Sequence, residues 1–391
     1  MTTVCMFGSE IAPSKDDVYV GGSVVSAVNL SRHLDEQDND VSVYTTRPRD
    51  WDVYEPVVET DWGTITVADT NAKNIGVVGG GVSISKLTRG LIQHCRKNNI
   101  DIIHGHSGFP IVTLIPVLAG KYLDIPVVHS LYCPVPEENQ TGLRQRLSSP
   151  YFTRQLISRV QHTFAMTDNV AQSLHRSGVS DVSVLRPIVD CETYRPDLDR
   201  PESVAIEDNR ITILFVGNLK EEKGLDFLIE AAGTVNESTP VQLIITTERD
   251  FEGSNERAPT IRKLIEQNGL AENVDWLDII PDMPRVISHA DVLVVPFTNT
   301  DGPSDNPLAA LEAMAAETPV VGTSVGGIEK LLSEGRGCLA PPEDSQALAK
   351  ALLRATKMPD VEQREIRAYI ENTFSPDEVY GTVEQVYGDC L

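Results

Sequence analysis

The chain has 391 residues, room for two or three domains with separate cores. A hydrophobic content of 41% with only 6% aromatics fits an α/β protein, and the longest uncharged apolar stretch, around Ile111 to Gly120, falls well short of the roughly 20 residues that cross a bilayer. Asp and Glu outnumber Lys and Arg by 57 to 33, and the net charge of −24 argues against general nucleic-acid binding.

The acidic residues are spread along the chain, so they describe an acidic folded surface and not a tail. Such a surface suits a salt-rich cytoplasm, as in a halophilic archaeon, where ionic strength screens self-repulsion. The residues after Met1 carry no signal-peptide charge pattern, so a cytoplasmic location is expected, peripheral at the inner membrane face in one reading below. Cys5, Cys95, Cys133, Cys191, Cys338 and Cys390 are scattered, with no CxxC pair and no Cys/His cluster; neither a disulfide framework nor a zinc site is indicated.

In chain order, apolar β-rich runs predict strands at Val4–Phe7, Val41–Tyr44, Ile65–Ala68, Ile100–His104, Val127–Leu131, His162–Met166 and Val182–Leu185. Helix-period segments fall between several of them, at Ser23–Leu34, Ser85–Lys97 and Val170–Arg176. Asp38-Asn39-Asp40 spells a DxD, but it follows a helix and precedes a strand, at the sheet edge away from a ligand site; it reads as a helix-ending turn. Residues Asn139 to Thr167 contain no Asp or Glu and carry Arg144, Arg146, Arg154 and Arg159, interleaved with Leu147, Tyr151, Phe152, Leu156 and Ile157. In so acidic a chain this basic island suits anionic lipid headgroups or a lipid-phosphate acceptor.

A polar, proline-bearing stretch, Tyr194–Asn209, reads as a domain boundary. Strands then resume at Ile211–Val216, Val241–Thr246, Val274–Leu277, Val292–Val295 and Val320–Gly322, with helices at Leu225–Val235, Ile261–Asn268, Pro284–His289 and Pro307–Ala316, and a mostly helical tail over Ser345–Tyr387. Two successive βαβα runs predict an α/β chain of two doubly wound, Rossmann-like parallel-sheet domains, 1–195 and 205–372. A last helix over 373–391 is expected to cross back to the first domain. Ligands in such sheets bind at the C-terminal strand ends, so two facing domains would share a cleft.

Both halves open with a strand, a glycine-bearing loop and a helix: Val4–Phe7 to Gly21-Gly22-Ser23, and Ile211–Val216 to Lys223-Gly224. Neither loop is GxGxxG or GxxxxGK[ST], which removes the dinucleotide and P-loop fingerprints. The stretch from Thr298 to Glu329 is the most telling. A small-residue loop runs into Asn306-Pro307, read as helix N-cap and first helical position. Leu308, Leu311, Glu312 and Ala315 follow at helical spacing, and the helix stops near Thr318-Pro319. A helix start fed by such a loop suits an anion, because its first N–H groups lack intrahelical partners.

Taken together, Gly21-Gly22, DIIHGHSGFP at 101–110, IPVVHS at 125–130, FVGNLKEEKG at 215–224, ADVLVVPF at 290–297, NPLAALEAMAAETPVV at 306–321 and GGIEKLL at 326–332 resemble the retaining glycosyltransferases of family 4, which have the GT-B fold. The resemblance implies transfer of a hexosyl unit from a nucleoside diphosphate sugar with retention, with no metal and no cofactor beyond that donor. It implies that Lys223 meets the donor diphosphate and Glu312 the ribose. Gly21 and Gly22 would approach the donor phosphates, with Asn306, Pro307 and Leu308 at the helix start. His106, taken to lie just past a strand end, is a candidate catalytic residue facing the acceptor, and Tyr132, where many members have a histidine, falls on the acceptor side. Two further departures fall at the donor site. Ser304 replaces the first glutamate of Glu-x7-Glu, with Asp305 or Asp301 nearby, and Asn218 replaces an arginine, with Lys220 or Arg186 as substitute cations. They leave open a non-catalytic nucleotide-sugar-binding or scaffold subunit; among enzymes, a nucleotide-sugar epimerase of the same fold is the alternative.

Overall fold

A computed structural model describes residues 1–13, 19, 21–48, 51, 53–71, 80–135, 149–247, 254–278, 280–299 and 307–391. The chain forms two compact units, Met1–Ile188 with Pro376–Leu391, and Val189–Ser375. No described helix is long and apolar enough to cross a membrane.

The first unit runs β1 (Thr3–Gly8), α1 (Gly22–Glu36), β2 (Asp40–Arg47), β3 (Val57–Thr60), β4 (Gly63–Asn71), α2 (Gly80–Asn98) and β5 (Ile102–Ser107). A 3-10 turn at Pro110–Thr113 leads to α3 (Leu114–Leu123), β6 (Val127–Leu131), α4 (Pro150–Ile157), β7 (His162–Ala165), α5 (Asp168–Arg176) and β8 (Val182–Val184). The strands make one eight-stranded sheet in the order β3-β4-β2-β1-β5-β6-β7-β8. It is parallel except for β3, which pairs antiparallel at the edge. Both faces are covered, so alternate residues feed two cores: Val4, Met6, Val43 and Ile102 on one side, Cys5, Phe7, Tyr44 and Ile103 on the other. The closing helix Pro376–Cys390 adds Val379, Val383 and Tyr387 to the first of these.

The second unit runs β9 (Ile211–Val216), α6 (Leu225–Asn236), β10 (Val241–Thr246), α7 (Ser254–Gln267), β11 (Val274–Leu277), α8 (Met283–His289) and β12 (Val292–Val295). Then come α9 (Leu308–Ala315), β13 (Val320–Thr323), α10 (Gly327–Leu332), β14 (Cys338–Ala340), α11 (Ser345–Ala355) and α12 (Asp360–Phe374). Its sheet is six-stranded, in the order β11-β10-β9-β12-β13-β14, with every pairing parallel. Ile213, Phe215, Leu243 and Ile245 enter one core; Leu214, Ile244 and Leu293 enter the other.

Two local readings need correction. Strand β5 continues through Ser107, because His106 and Ser107 pair with Ser130 and Leu131 of β6; His106 therefore lies within the strand, not beyond it. The polar Gly-His-Ser run hid a strand that neighbour pairing extends. In α9, Pro307 is itself the N-cap, with φ −66° and ψ 124°, so the helix starts at Leu308. The helix ends where Glu317 turns left-handed at φ 59° and Thr318 N–H returns to Ala313 O at 2.8 Å. The DxD lies at the N-terminal end of β2: Asp38 is left-handed at φ 60°, and the Asn39 side chain donates to Leu34 O.

Candidate functional site

In the second sheet, β9 sits between β10 and β12. The chain winds outward through β10 and β11, then returns to the other side at β12. The order reverses at β9/β12, and ligands of open α/β sheets bind outside the C-terminal strand ends at such a point. The loops leaving these two strands meet there: Thr298 N–H donates to Glu222 O at 3.0 Å. Gly224 makes the approach possible. Its φ is +67°, and an added Cβ would collide with Pro296 O.

That approach sets Lys223 over the Phe297 ring, Nζ 4.3 Å from its centroid. The ammonium is half-buried, and burial lowers its pKa to about 8; Glu222 pulls the other way. Lys223 is thus a cation near its titration range, held by an aromatic face. Asn218 does not reach out as a longer residue would. Its Oδ1 accepts from Lys220 N–H at 3.1 Å and shapes the turn.

Glu312 stands in the second turn of α9, half-buried where a solvent-facing residue would be exposed. Burial raises its pKa to about 7, and a hydrogen bond from the Tyr194 hydroxyl opposes that rise. Pro307 and Leu308 at the helix start are half-buried. Ser304, Asp305, Asn306 and Asp301 lie outside the described residues.

The first unit has its own order reversal, between β1 and β5. After β1, Gly21 caps α1 at φ 95°, a value that favours glycine, and Gly21 and Gly22 are exposed. On β5 and β6 sits a set of buried histidines. His104 bonds Tyr387 Oη through Nδ1 at 2.7 Å and Ser130 Oγ through Nε2 at 2.8 Å. His106 stacks on it at 4.2 Å between centroids, with Nδ1 3.1 Å from Tyr132 Oη. His129 Nε2 is 2.8 Å from Ser107 Oγ, and its ring fits because Gly105 has no Cβ to collide with Nδ1. Burial pushes His106 and His129 down to about 3 and His104 well below its ordinary value. These rings are neutral near pH 7. His106, Tyr132, Ser26, Ser130 and Arg186 line a small cavity.

Of the basic island, Arg154 and Arg159 are exposed, and so are Tyr151 and Phe152 on α4. Leu156 and Ile157 turn inward. Arg144, Arg146 and Leu147 lie outside the described residues.

Residues 210–357 match the family model for group 1 glycosyl transferases, and residues 20–193 match that for glycosyltransferase family 4. The chain is a glycosyltransferase of the GT-B type. It is 26% identical over 400 aligned residues to a D-inositol 3-phosphate glycosyltransferase of Corynebacterium glutamicum strain R, covering 95% of this chain and 92% of the relative. Among solved structures it is similar to a sucrose-phosphate synthase of Thermosynechococcus elongatus, at TM-score 0.80 and 18% identity over 100% and 99% of the two chains. It is also similar to Anabaena HepE in complex with UDP-glucose, at TM-score 0.75 and 15% identity over 100% of both chains. In this glycosyltransferase the residues that sequence reasoning missed are Phe297 and Tyr194. The ADVLVVPF motif already contained Phe297 next to a strand end. Tyr194 fell in the stretch read as a linker.

Proposed function

We propose that the chain moves a hexosyl unit from a nucleoside diphosphate sugar to an acceptor hydroxyl, with retention at the anomeric carbon. The observation that carries this reading is that Lys223, on its aromatic rest, and half-buried Glu312 lie in the one unit whose sheet reverses at β9/β12. In this reading the Lys223 ammonium meets the negative charge that grows on the diphosphate as the anomeric C–O bond breaks. N–H groups at the start of α9 add to it. Ionised Glu312 accepts hydrogen bonds from the ribose hydroxyls. The acceptor oxygen attacks from the face the diphosphate leaves, and its proton passes to a departing phosphate oxygen. No enzymic nucleophile and no metal enters this scheme.

Structural neighbours in complex with UDP-glucose and UDP-2-fluoro glucose support a nucleotide-sugar donor. The naming of relatives for D-inositol 3-phosphate makes a phosphorylated cyclitol the first acceptor to try. The test is release of nucleoside diphosphate from UDP-, GDP-, ADP- and TDP-sugars, with Lys223→Ala as control. Turnover with one donor that Lys223→Ala removes supports the reading. Tight nucleotide binding with no turnover of any donor favours a binding subunit instead, and a change of sugar configuration without an acceptor favours an epimerase.

A second reading concerns location. Exposed Tyr151 and Phe152 beside exposed Arg154 and Arg159, in a stretch without acidic residues, suit peripheral contact with an anionic membrane surface. Flotation with phosphatidylglycerol vesicles should fall when Arg144, Arg146, Arg154 and Arg159 are all changed to alanine. Equal flotation of both proteins removes this reading.

A further inference from the structure

We infer that Arg257 is a positioning residue for Lys223: it holds the carboxylates of Asp226 and Glu221, so that the acidic turn around Lys223 does not occupy the ammonium and leaves it free for the donor diphosphate. The inference rests on the reading of Lys223 as the diphosphate partner.

The sequence poses the problem. Lys220 to Asp226 reads Lys-Glu-Glu-Lys-Gly-Leu-Asp, three carboxylates against two lysines where a diphosphate is to bind. The sheet of the second unit supplies the missing cation. β9 and β10 run parallel, so α6 and α7, which follow them, both begin at the C-terminal strand ends. Leu225 and Leu228 of α6 share a core with Ile261 and Ile265 of α7. Arg257 lies four residues before Ile261, in the first turn of α7, and so meets the turn that carries Lys223.

There the charges are sorted. Arg257 Nη2 donates to both carboxylate oxygens of Asp226 at 2.6 Å, and Nη1 lies 3.6 Å from Glu221 Oε1. Lys220 takes the remaining carboxylate, with Nζ 3.9 Å from Glu222 Oε1. Each of the three carboxylates thus pairs with a cation other than Lys223. Among the described residues the Lys223 ammonium makes no ion pair and no hydrogen bond; it rests on the Phe297 ring, 4.3 Å from the centroid. Its pKa of about 8 agrees, since burial outweighs the pull of Glu222.

The chemistry follows from what a diphosphate needs. An ammonium already paired with a carboxylate offers its ligand little, because the pair has to be broken first. Unmasked carboxylates also repel the anion directly. Asp226 stands in the first turn of α6, where its charge opposes any anion drawn to that helix start. Arg257 cancels this charge and restrains Glu221 with the same side chain. A guanidinium suits the task, because its fork of donors reaches two carboxylates from one fixed plane.

The test measures how much more tightly a nucleoside diphosphate binds than its monophosphate, by calorimetry, for the uridine, guanosine, adenosine and thymidine pairs. Lys223→Ala should abolish the preference found in the wild type. Arg257→Gln should reduce it about tenfold, while monophosphate affinity stays as in the wild type and shows that the site is folded. Adding Glu221→Gln and Asp226→Asn to Arg257→Gln should restore the preference, because the charges that Arg257 holds are then gone. If Arg257→Gln is unstable, Glu221→Gln with Asp226→Asn in an otherwise wild-type chain should keep the full preference; a loss there shows that the ion pairs only shape the turn and overturns the inference. A wild-type preference in Arg257→Gln, or no recovery in the triple variant, overturns the role of Arg257, and loss of preference in Lys223→Ala then spares the diphosphate reading. A wild-type preference in Lys223→Ala, or no preference in the wild type, overturns both.

Discussion

Both units bury titratable side chains near a place where the strand order reverses, yet burial does opposite work in the two. In the first unit it pushes His106 and His129 down to about 3, and His104 well below its ordinary value. Hydrogen bonds to Tyr387, Ser130, Tyr132 and Ser107 hold these neutral rings in place. In the second unit burial brings Lys223 down to about 8 and Glu312 up to about 7, from opposite sides toward neutrality. The same desolvation that silences a histidine poises a lysine and a glutamate, because their ordinary values start far from pH 7. The shift thus leaves a charge at Lys223 and Glu312 and none at the histidines.

The largest expected effect sharpens this contrast. Lys223→Ala should lower donor turnover by about 10²–10³, the cost of removing one preorganised stabiliser of developing charge, with little change in melting temperature. A mainly thermal effect would mean that Lys223 is a packing element. The smaller effect lies in the first unit. Tyr387→Phe leaves His104 Nδ1 buried without its partner and should cost about 1–3 kcal/mol of stability while nucleotide affinity stays as in the wild type. A loss of nucleotide affinity with stability intact would break the comparison from the other side.

Much of this was legible in the chain. Runs such as Ile211–Val216, Val241–Thr246 and Val292–Val295 are apolar and β-branched because both faces of a parallel sheet are covered, and they read directly as strands. Lys223 and Glu312 could be named from motif context, and Gly224 from its place before a helix. What stayed hidden depended on partners distant in sequence. α3 lies in the apolar stretch near Ile111 to Gly120, which shows no polar face from which to read a helix. The short strands β3 and β14 gain their identity only from neighbouring β4 and β13. His106 reads as a loop residue until β6 is placed beside it. Tyr194 sits in a polar, proline-bearing segment that carries no local sign of the helix it meets. The fractional shifts at Lys223 and Glu312 are likewise properties of burial, which no local motif encodes.

The pH dependence of kcat/KM for the donor, measured from pH 5 to 10 in the wild type and Glu312→Gln, tests the poised pair most directly, since this ratio reports the free enzyme. Ionised Glu312 accepts from the ribose hydroxyls with both oxygens and more strongly than its protonated form, so activity should fall as pH drops through about 7; Lys223 serves only when protonated, so it should fall as pH rises through about 8. A narrow maximum between those limits is expected, with the acid limb absent in Glu312→Gln. A wild-type profile flat across that range, or an acid limb that survives in Glu312→Gln, contradicts it.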